Sequence, residues 1–247
     1  MSNREIYVQL RLSRLGKSEL RYAVSLAKRM QATLVVVAPY RTDAERVRAL
    51  VAEWAPEAGT FDQLHLLRDS VPRLSDASIL VGACPQWPES ARRQMHQLFP
   101  GDQESFCPPV ELPKMLVPFG NGTSGLRAGR FAANFDQAIV GSKLTFYHTT
   151  WRNPVVSSDV PALHVCEGAR VVQEELDERT RGIEHAFRIE TADDVTEGIV
   201  RAALDESSDL IVMARGAHTV TGNYVDRVLA RTTVPVLVVR DVKEVTP

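Results

Sequence analysis

"DLIVMARGAHTVTGNYVDRVLARTTVPVLVVR", Asp209–Arg240, is the stretch on which the fold turns. It opens on one apolar run, "DLIVMA", and closes on another, "PVLVVR". Both are short and rich in Val, Ile and Leu, which suits strands of a parallel sheet covered on both faces. A glycine-punctuated loop and one helix lie between them. Strand, loop, helix, strand is the repeat of an α/β protein. A loop of this kind can hold a phosphate, because glycines let the backbone approach it and a helix N-terminus favours its charge.

The same alternation runs upstream. "KMLVPFG" (Lys114–Gly120) reads as a buried strand. The helix after it carries Leu126, Phe131, Ala132, Phe135 and Ile139 as an approximate stripe. "SKLTFYHT" (Ser142–Thr149) and "HAFRIE" (His185–Glu190) read as further strands. Between these two, Ala169, Val172 and Leu176 recur near helical spacing. "ADDVTEGIVRAALDE" reads as an amphipathic helix with Asp193 or Asp194 near its start as cap.

The first half repeats the scheme in weaker form. Strands are expected at "IYVQLRL", "ATLVVVAP", "DQLHLL" and "ASILVGA". Helices are expected at "KSELRYAVSLAKRM", whose Leu20, Ala23, Val24, Ala27 and Met30 share a face, and at "DAERVRALVAEW". Where the second half has "PVLVV", the first offers only "CPPVEL", a poor buried strand. A weak or missing fifth strand is therefore expected in the first half. The joining segment "FPGDQESFCPPVELP" puts the boundary near Leu112, giving domains 1–112 and 113–247.

Composition closes several functional classes. With 44% hydrophobic and 24% charged residues the chain reads as an ordinary soluble globular protein. A net charge of −2 gives no basic footprint for nucleic acid or an anionic membrane. No apolar run approaches a membrane span, and "MSNREIYVQLRL" has no signal-peptide core. Cys84, Cys107 and Cys166 are odd in number, with no CxxC pair, which points to a reducing cytoplasm.

Three pieces, "KMLVPFGNGT", "SSDLIVMARG" and "RVLARTTVPVLVV", resemble the universal stress protein family. Their order and spacing cover most of Lys114–Arg240. The first half resembles that family only through its order of elements, so the chain looks like a tandem member with one divergent half. The resemblance implies two Rossmann-like domains of the adenine-nucleotide α-hydrolase type. Each has a parallel sheet of about five strands, order 3-2-1-4-5, with helices on both faces. It places any ligand outside the carboxyl ends of the strands, where strand order reverses. It also implies pairing of fifth strands between domains. With the first half's strand missing, Pro235, Val236, Leu237, Val238 and Val239 are expected to pair with a second chain in a two-fold homodimer.

Nucleotide-binding members carry an Asp at the end of strand one, and a loop of glycine, two residues, glycine, nine residues, then glycine and Ser or Thr. Here Gly120 falls where the Asp would stand. If Gly216 is the second loop glycine, the first falls on Met213. Five residues, not nine, separate Gly216 from Gly222, and Asn223 replaces the Ser or Thr. The loop therefore reads as a shortened connector. The alternative is a degenerate cradle for ATP or AMP built from Gly120, His148, Gly216, Gly222 and Asn223, with Asn223 as a good N-cap. The first half, "VGACPQWPESARR", has no second glycine after Gly82.

Other signals divide between chemistry and structure. "GNGTSG" (Gly120–Gly125) can wrap a phosphate, but reads first as a turn with Thr123 or Ser124 capping the helix. Gly16-Lys17-Ser18 ends like a P-loop but lacks the upstream glycine, since position 11 is Arg. His164 and Cys166, two apart, do not face one way on a helix and make no metal pair. His148 ends a strand beside the cleft, as an exposed histidine or a contact for adenine or ribose. His218 in the loop has the same two readings. "ARRQMHQ" (Ala91–Gln97) reads as a solvated helix face. Trp54 and Trp87 read as filling space between the halves.

The reading reached is a cytoplasmic, non-catalytic stress-response regulator with no metal site, no nucleic-acid partner and no membrane partner. Any protein partner beyond a second copy is left open. Two rivals stand beside it. One is an ATP-binding or slowly ATP-hydrolysing protein of the same fold, which would need a carboxylate for magnesium. The other is the cytoplasmic regulatory module of a transporter.

Overall fold

The structure is a computed structural model that describes residues 4–38, 43–56, 64–68, 78–82, 84, 87, 95–99, 114–120, 122–139, 142–151, 162–215 and 224–239. The chain forms two compact units, Met1–Val110 with Arg240–Pro247, and Glu111–Val239.

The first unit contains β1 (Glu5–Gln9), α1 (Arg14–Met30), β2 (Thr33–Ala38), α2 (Ala44–Trp54), β3 (Leu64–Arg68), β4 (Ile79–Val81) and β5 (His96–Phe99). Its strands lie in the order β3-β2-β1-β4-β5, all parallel. Alpha-helix α1 begins where the Ser13 side chain accepts from the Gly16 N–H at 3.0 Å. It ends at Gln31, which takes a left-handed φ of 49° and donates to the carbonyls of Ala27 and Lys28. The expected face of Leu20, Ala23, Val24, Ala27 and Met30 is buried throughout. Gly16-Lys17-Ser18 lies inside this helix, so it is no phosphate loop. On the other sheet face Trp87 packs edge-on to Tyr7, centroids 5.6 Å apart, within a cluster that includes Val35, Val37, Leu80, Cys84 and Met95. Trp87 therefore fills the first unit's own core. Trp54 is half-buried at the end of α2.

The expected missing fifth strand is corrected. Strand β5 comes earlier in the chain than "CPPVEL" and pairs with β4 at Ile79↔His96, Leu80↔Gln97 and Val81↔Leu98. It is short rather than absent. Part of this segment, "MHQ", falls in the run expected to be a solvated helix face. Instead His96 and Leu98 are buried and Gln97 and Phe99 half-buried, alternation that suits a strand. Ala91–Gln94 lie outside the described residues.

The second unit contains β6 (Lys114–Pro118), α3 (Thr123–Ile139), β7 (Lys143–Trp151), α4 (Ala162–Arg179), β8 (His185–Ala192), α5 (Val195–Asp205), β9 (Leu210–Ala214), α6 (Tyr224–Leu229) and β10 (Val236–Val239). The order is β8-β7-β6-β9-β10, again parallel and again 3-2-1-4-5. Ala169, Val172 and Leu176 are buried as expected. The stripe of α3 differs from its sequence reading. Ala132 and Phe135 are buried as expected and the side chain of Ile139 lies outside the described residues, but Leu126 and Phe131 are only half-buried, and Ala128, Gly129 and Ala133 face inward instead. Small residues let this helix lie close. A methyl at Gly129 would run into Leu176 and come within 3.3 Å of Phe146.

Candidate functional site

In each unit the first strand sits between the second and the fourth, so strand order reverses at its carboxyl tip. That crevice is where an open parallel sheet takes a ligand.

In the second unit the crevice lies between the tips of β6 and β9. Strand β6 runs into Phe119 and Gly120. Gly120 is exposed, and a Cβ there would meet nothing within 4 Å. The next helix comes in close. A Cβ at Gly125 would stand 2.9 Å from the Phe119 Cβ, so a side chain there would lift α3 off the strand tip. Thr123 and Ser124 occupy the first turn of α3 rather than its cap, which corrects the expected capping role. One turn further on, Arg127 donates from Nη2 to the Arg215 carbonyl at 2.8 Å. This ties α3 to the end of β9, and burial pulls the guanidinium below its ordinary pKa. Arg215 in turn reaches Asp226 of α6 at 3.0 Å.

His148, at the end of β7, is not the exposed histidine that its position suggested. It is 4% exposed and lies 5.1 Å from the Phe119 ring, with Phe187 edge-on beyond it. Its Nδ1–H donates to the Phe119 carbonyl at 2.9 Å. A carbonyl only accepts, so in the neutral ring Nε2 carries a lone pair. That Nε2 is buried without a hydrogen-bond partner. Gly120 and His148 are thus brought to the same strand tips. Gly216, Gly222, Asn223 and His218 lie outside the described residues, as do the side chains of His164 and Cys166. Among the described residues no group of three His, Cys, Asp or Glu could hold a metal ion. Among them, too, no helix is long and apolar enough to cross a membrane.

The first unit's crevice is built differently. Two residues past β1, Arg11 donates from Nε to Glu19 Oε2 at 3.2 Å and from Nη2 to Oε1. The Glu19 carboxylate lies against Gly82, one residue past β4. Gly82 has φ +76° and its N–H donates to the Leu98 carbonyl at 2.7 Å. The sequence reading missed Arg11, Glu19 and Arg127. For Glu19 a signal was present: it stands four residues before Ala23, on the buried stripe, where a lone acid needs a partner.

The sequence model of the universal stress protein family matches residues 111–240. A universal stress protein of Archaeoglobus fulgidus superposes with a TM-score of 0.65 at 16% identity, over 97% of this chain and 99% of that one. A protein of Pseudomonas aeruginosa solved as a candidate universal stress protein gives 0.60 at 14% identity, over 97% and 94%. A universal stress protein in complex with cAMP matches 52% of this chain and 97% of its own at 22% identity, TM-score 0.42. At these identities the likeness speaks for the fold. Comparison with curated proteins found no match.

Proposed function

The chain belongs to the universal stress protein family, and on that premise we propose that it is a non-catalytic stress-response regulator. Its second unit keeps a degenerate crevice for an adenine nucleotide, ATP or AMP, at Gly120 and His148, with Gly216, Gly222 and Asn223 as the further contacts expected from the sequence. One observation carries the reading: open space at Gly120 stands beside a buried, unpartnered acceptor on His148. A buried acceptor left unmade costs roughly 1–3 kcal/mol, and a ligand amino or hydroxyl group would remove that cost. Gly120 supplies no carboxylate for magnesium, which favours binding over hydrolysis.

Isothermal titration of nucleotide-stripped protein with ATP, ADP and AMP tests this. The expected result is binding at micromolar levels that magnesium leaves unchanged. His148→Leu should weaken it about tenfold, the equivalent of ~1.4 kcal/mol. Absence of heat with all three nucleotides would overturn the ligand reading and turn the search to protein partners.

A further inference from the structure

We propose that His148 decides which ligand group the second unit's crevice selects: its Nε2 accepts from the exocyclic amino group of the base, not from a ribose hydroxyl. The inference rests on the nucleotide reading above and names the contact that makes the site selective. His148 is held from one side. Its Nδ1–H donates to the Phe119 carbonyl at 2.9 Å. The two ring nitrogens point apart, so the Nε2 lone pair faces away from the β6 backbone that holds Nδ1. That nitrogen is buried and has no hydrogen-bond partner. With the proton on Nδ1, Nε2 can only accept. A ligand must therefore bring a donor. A ring nitrogen or a carbonyl oxygen placed there would meet it lone pair to lone pair.

The surroundings decide which donor. The His148 ring lies 5.1 Å from the Phe119 ring, tilted by 34°. Phe187 stands edge-on to Phe119 and stacks on Phe146 at 5.1 Å. Phe146 and His148, two apart on β7, share one sheet face. Thr149 belongs to the other face, where its hydroxyl lies 3.4 Å from the place of a Cβ on Gly198 of α5. The acceptor thus sits against an aromatic wall. A flat base covers such a wall with its face and meets the acceptor with one polar edge. A ribose would bring two hydroxyls to one acceptor, and the second would be buried unpaired. Gly120 puts no side chain in the way, since it is exposed and a Cβ there would meet nothing within 4 Å.

Three ligands test the assignment by isothermal titration of the nucleotide-stripped full chain. They are AMP, purine ribonucleotide, which lacks the exocyclic amino group, and 2′,3′-dideoxy-AMP, which lacks both ribose hydroxyls. Purine ribonucleotide should bind about tenfold more weakly than AMP, because the acceptor stays unpaired. The dideoxy nucleotide should bind within about twofold of AMP. His148→Leu should bring AMP down to the level of purine ribonucleotide and leave purine ribonucleotide unchanged. A merely structural role would weaken both ligands alike. If His148→Leu does not fold, the three ligands on the parent decide alone. Equal binding of AMP and purine ribonucleotide to the parent overturns the proposal and leaves the nucleotide reading standing. So does a loss confined to the dideoxy nucleotide, which would assign the contact to the ribose. Absence of binding by all three overturns both.

Discussion

Gly82 and Gly120 end comparable strands and mean opposite things. At Gly82 the backbone is left-handed and the Glu19 carboxylate fills the space of a side chain. Gly82→Ala should therefore cost about 2–4 kcal/mol, from strain and overpacking together. Urea unfolding reads that as a lower midpoint at unchanged slope. Gly120 faces open space and carries no left-handed φ. Gly120→Asp should change stability by no more than about 0.5 kcal/mol. On the nucleotide reading it should make binding stronger in magnesium than without it, measured by the same titration. Sequence alone ranked these glycines by motif, and a motif does not report free space. The neighbours of each glycine come from segments far away in the chain, as Glu19 does for Gly82.

Among the elements, α5 shows how much one residue can fasten. Asp194 caps it, accepting from the N–H groups of Thr196 at 2.7 Å and Glu197 at 3.4 Å. The same carboxylate takes Arg227 of α6 at 2.6 Å and Arg231 at 3.2 Å, so two helices share one anchor. Burial works to raise the Asp194 pKa, but the two N–H groups and the two arginines outweigh it and the net shift is downward. A depressed folded pKa means stability that is present above the ordinary value of 3.8 and lost as pH falls through the lower, folded one. Asp194→Ala should cost about 2 kcal/mol at neutral pH, mostly from the cap, since exposed ion pairs add little. The gap between parent and variant should close below pH 3.8, checked by thermal melts at neutral and acid pH. The cap was legible as Asp193 or Asp194 beside an amphipathic run. Its second role was not, because Arg227 lies 33 residues away.

For the molecule as a whole, two crevices of one topology have parted in chemistry. One unit has a glycine and an unpartnered imidazole nitrogen at its strand tips, and the other a buried ion pair. Any nucleotide should therefore bind at one site per chain. The proposed two-fold homodimer through Pro235, Val236, Leu237, Val238 and Val239 loses the argument from a missing fifth strand, since β5 is present. The side chains of Val236–Val239 are buried within a single chain, and β10 is not an edge strand, so its backbone groups are not free for a second copy. Light scattering at micromolar concentration tests it. With that argument gone the mass of one 27.4 kDa chain is expected, and about twice that mass would restore the dimer.

What the sequence by itself determined is the kind of fold and the identity of most elements. Unbroken Val, Ile and Leu runs can only be buried on both faces. The stripe of α1 and the recurrence of Ala169, Val172 and Leu176 each have one face to hide. Those signals are local, a few residues long, and survive divergence. Tertiary structure alone decided the rest. Strand β5 carries His96 and Gln97 in a four-residue run, too short and too polar for periodicity to find. Helix α3 buries Ala and Gly beside Phe135 while Leu126 and Phe131 stay half-buried, because its distance from the sheet is set by what Gly125 and Gly129 permit. His148 is buried because the Phe119 carbonyl, 29 residues away, meets its ring. Arg11 and Glu19 are only eight residues apart, but Glu19 is buried because Gly82, at the tip of a distant strand, lies against its carboxylate. A strand can be recognised from its own residues, but a site consists of distances between residues that the chain keeps far apart until it folds.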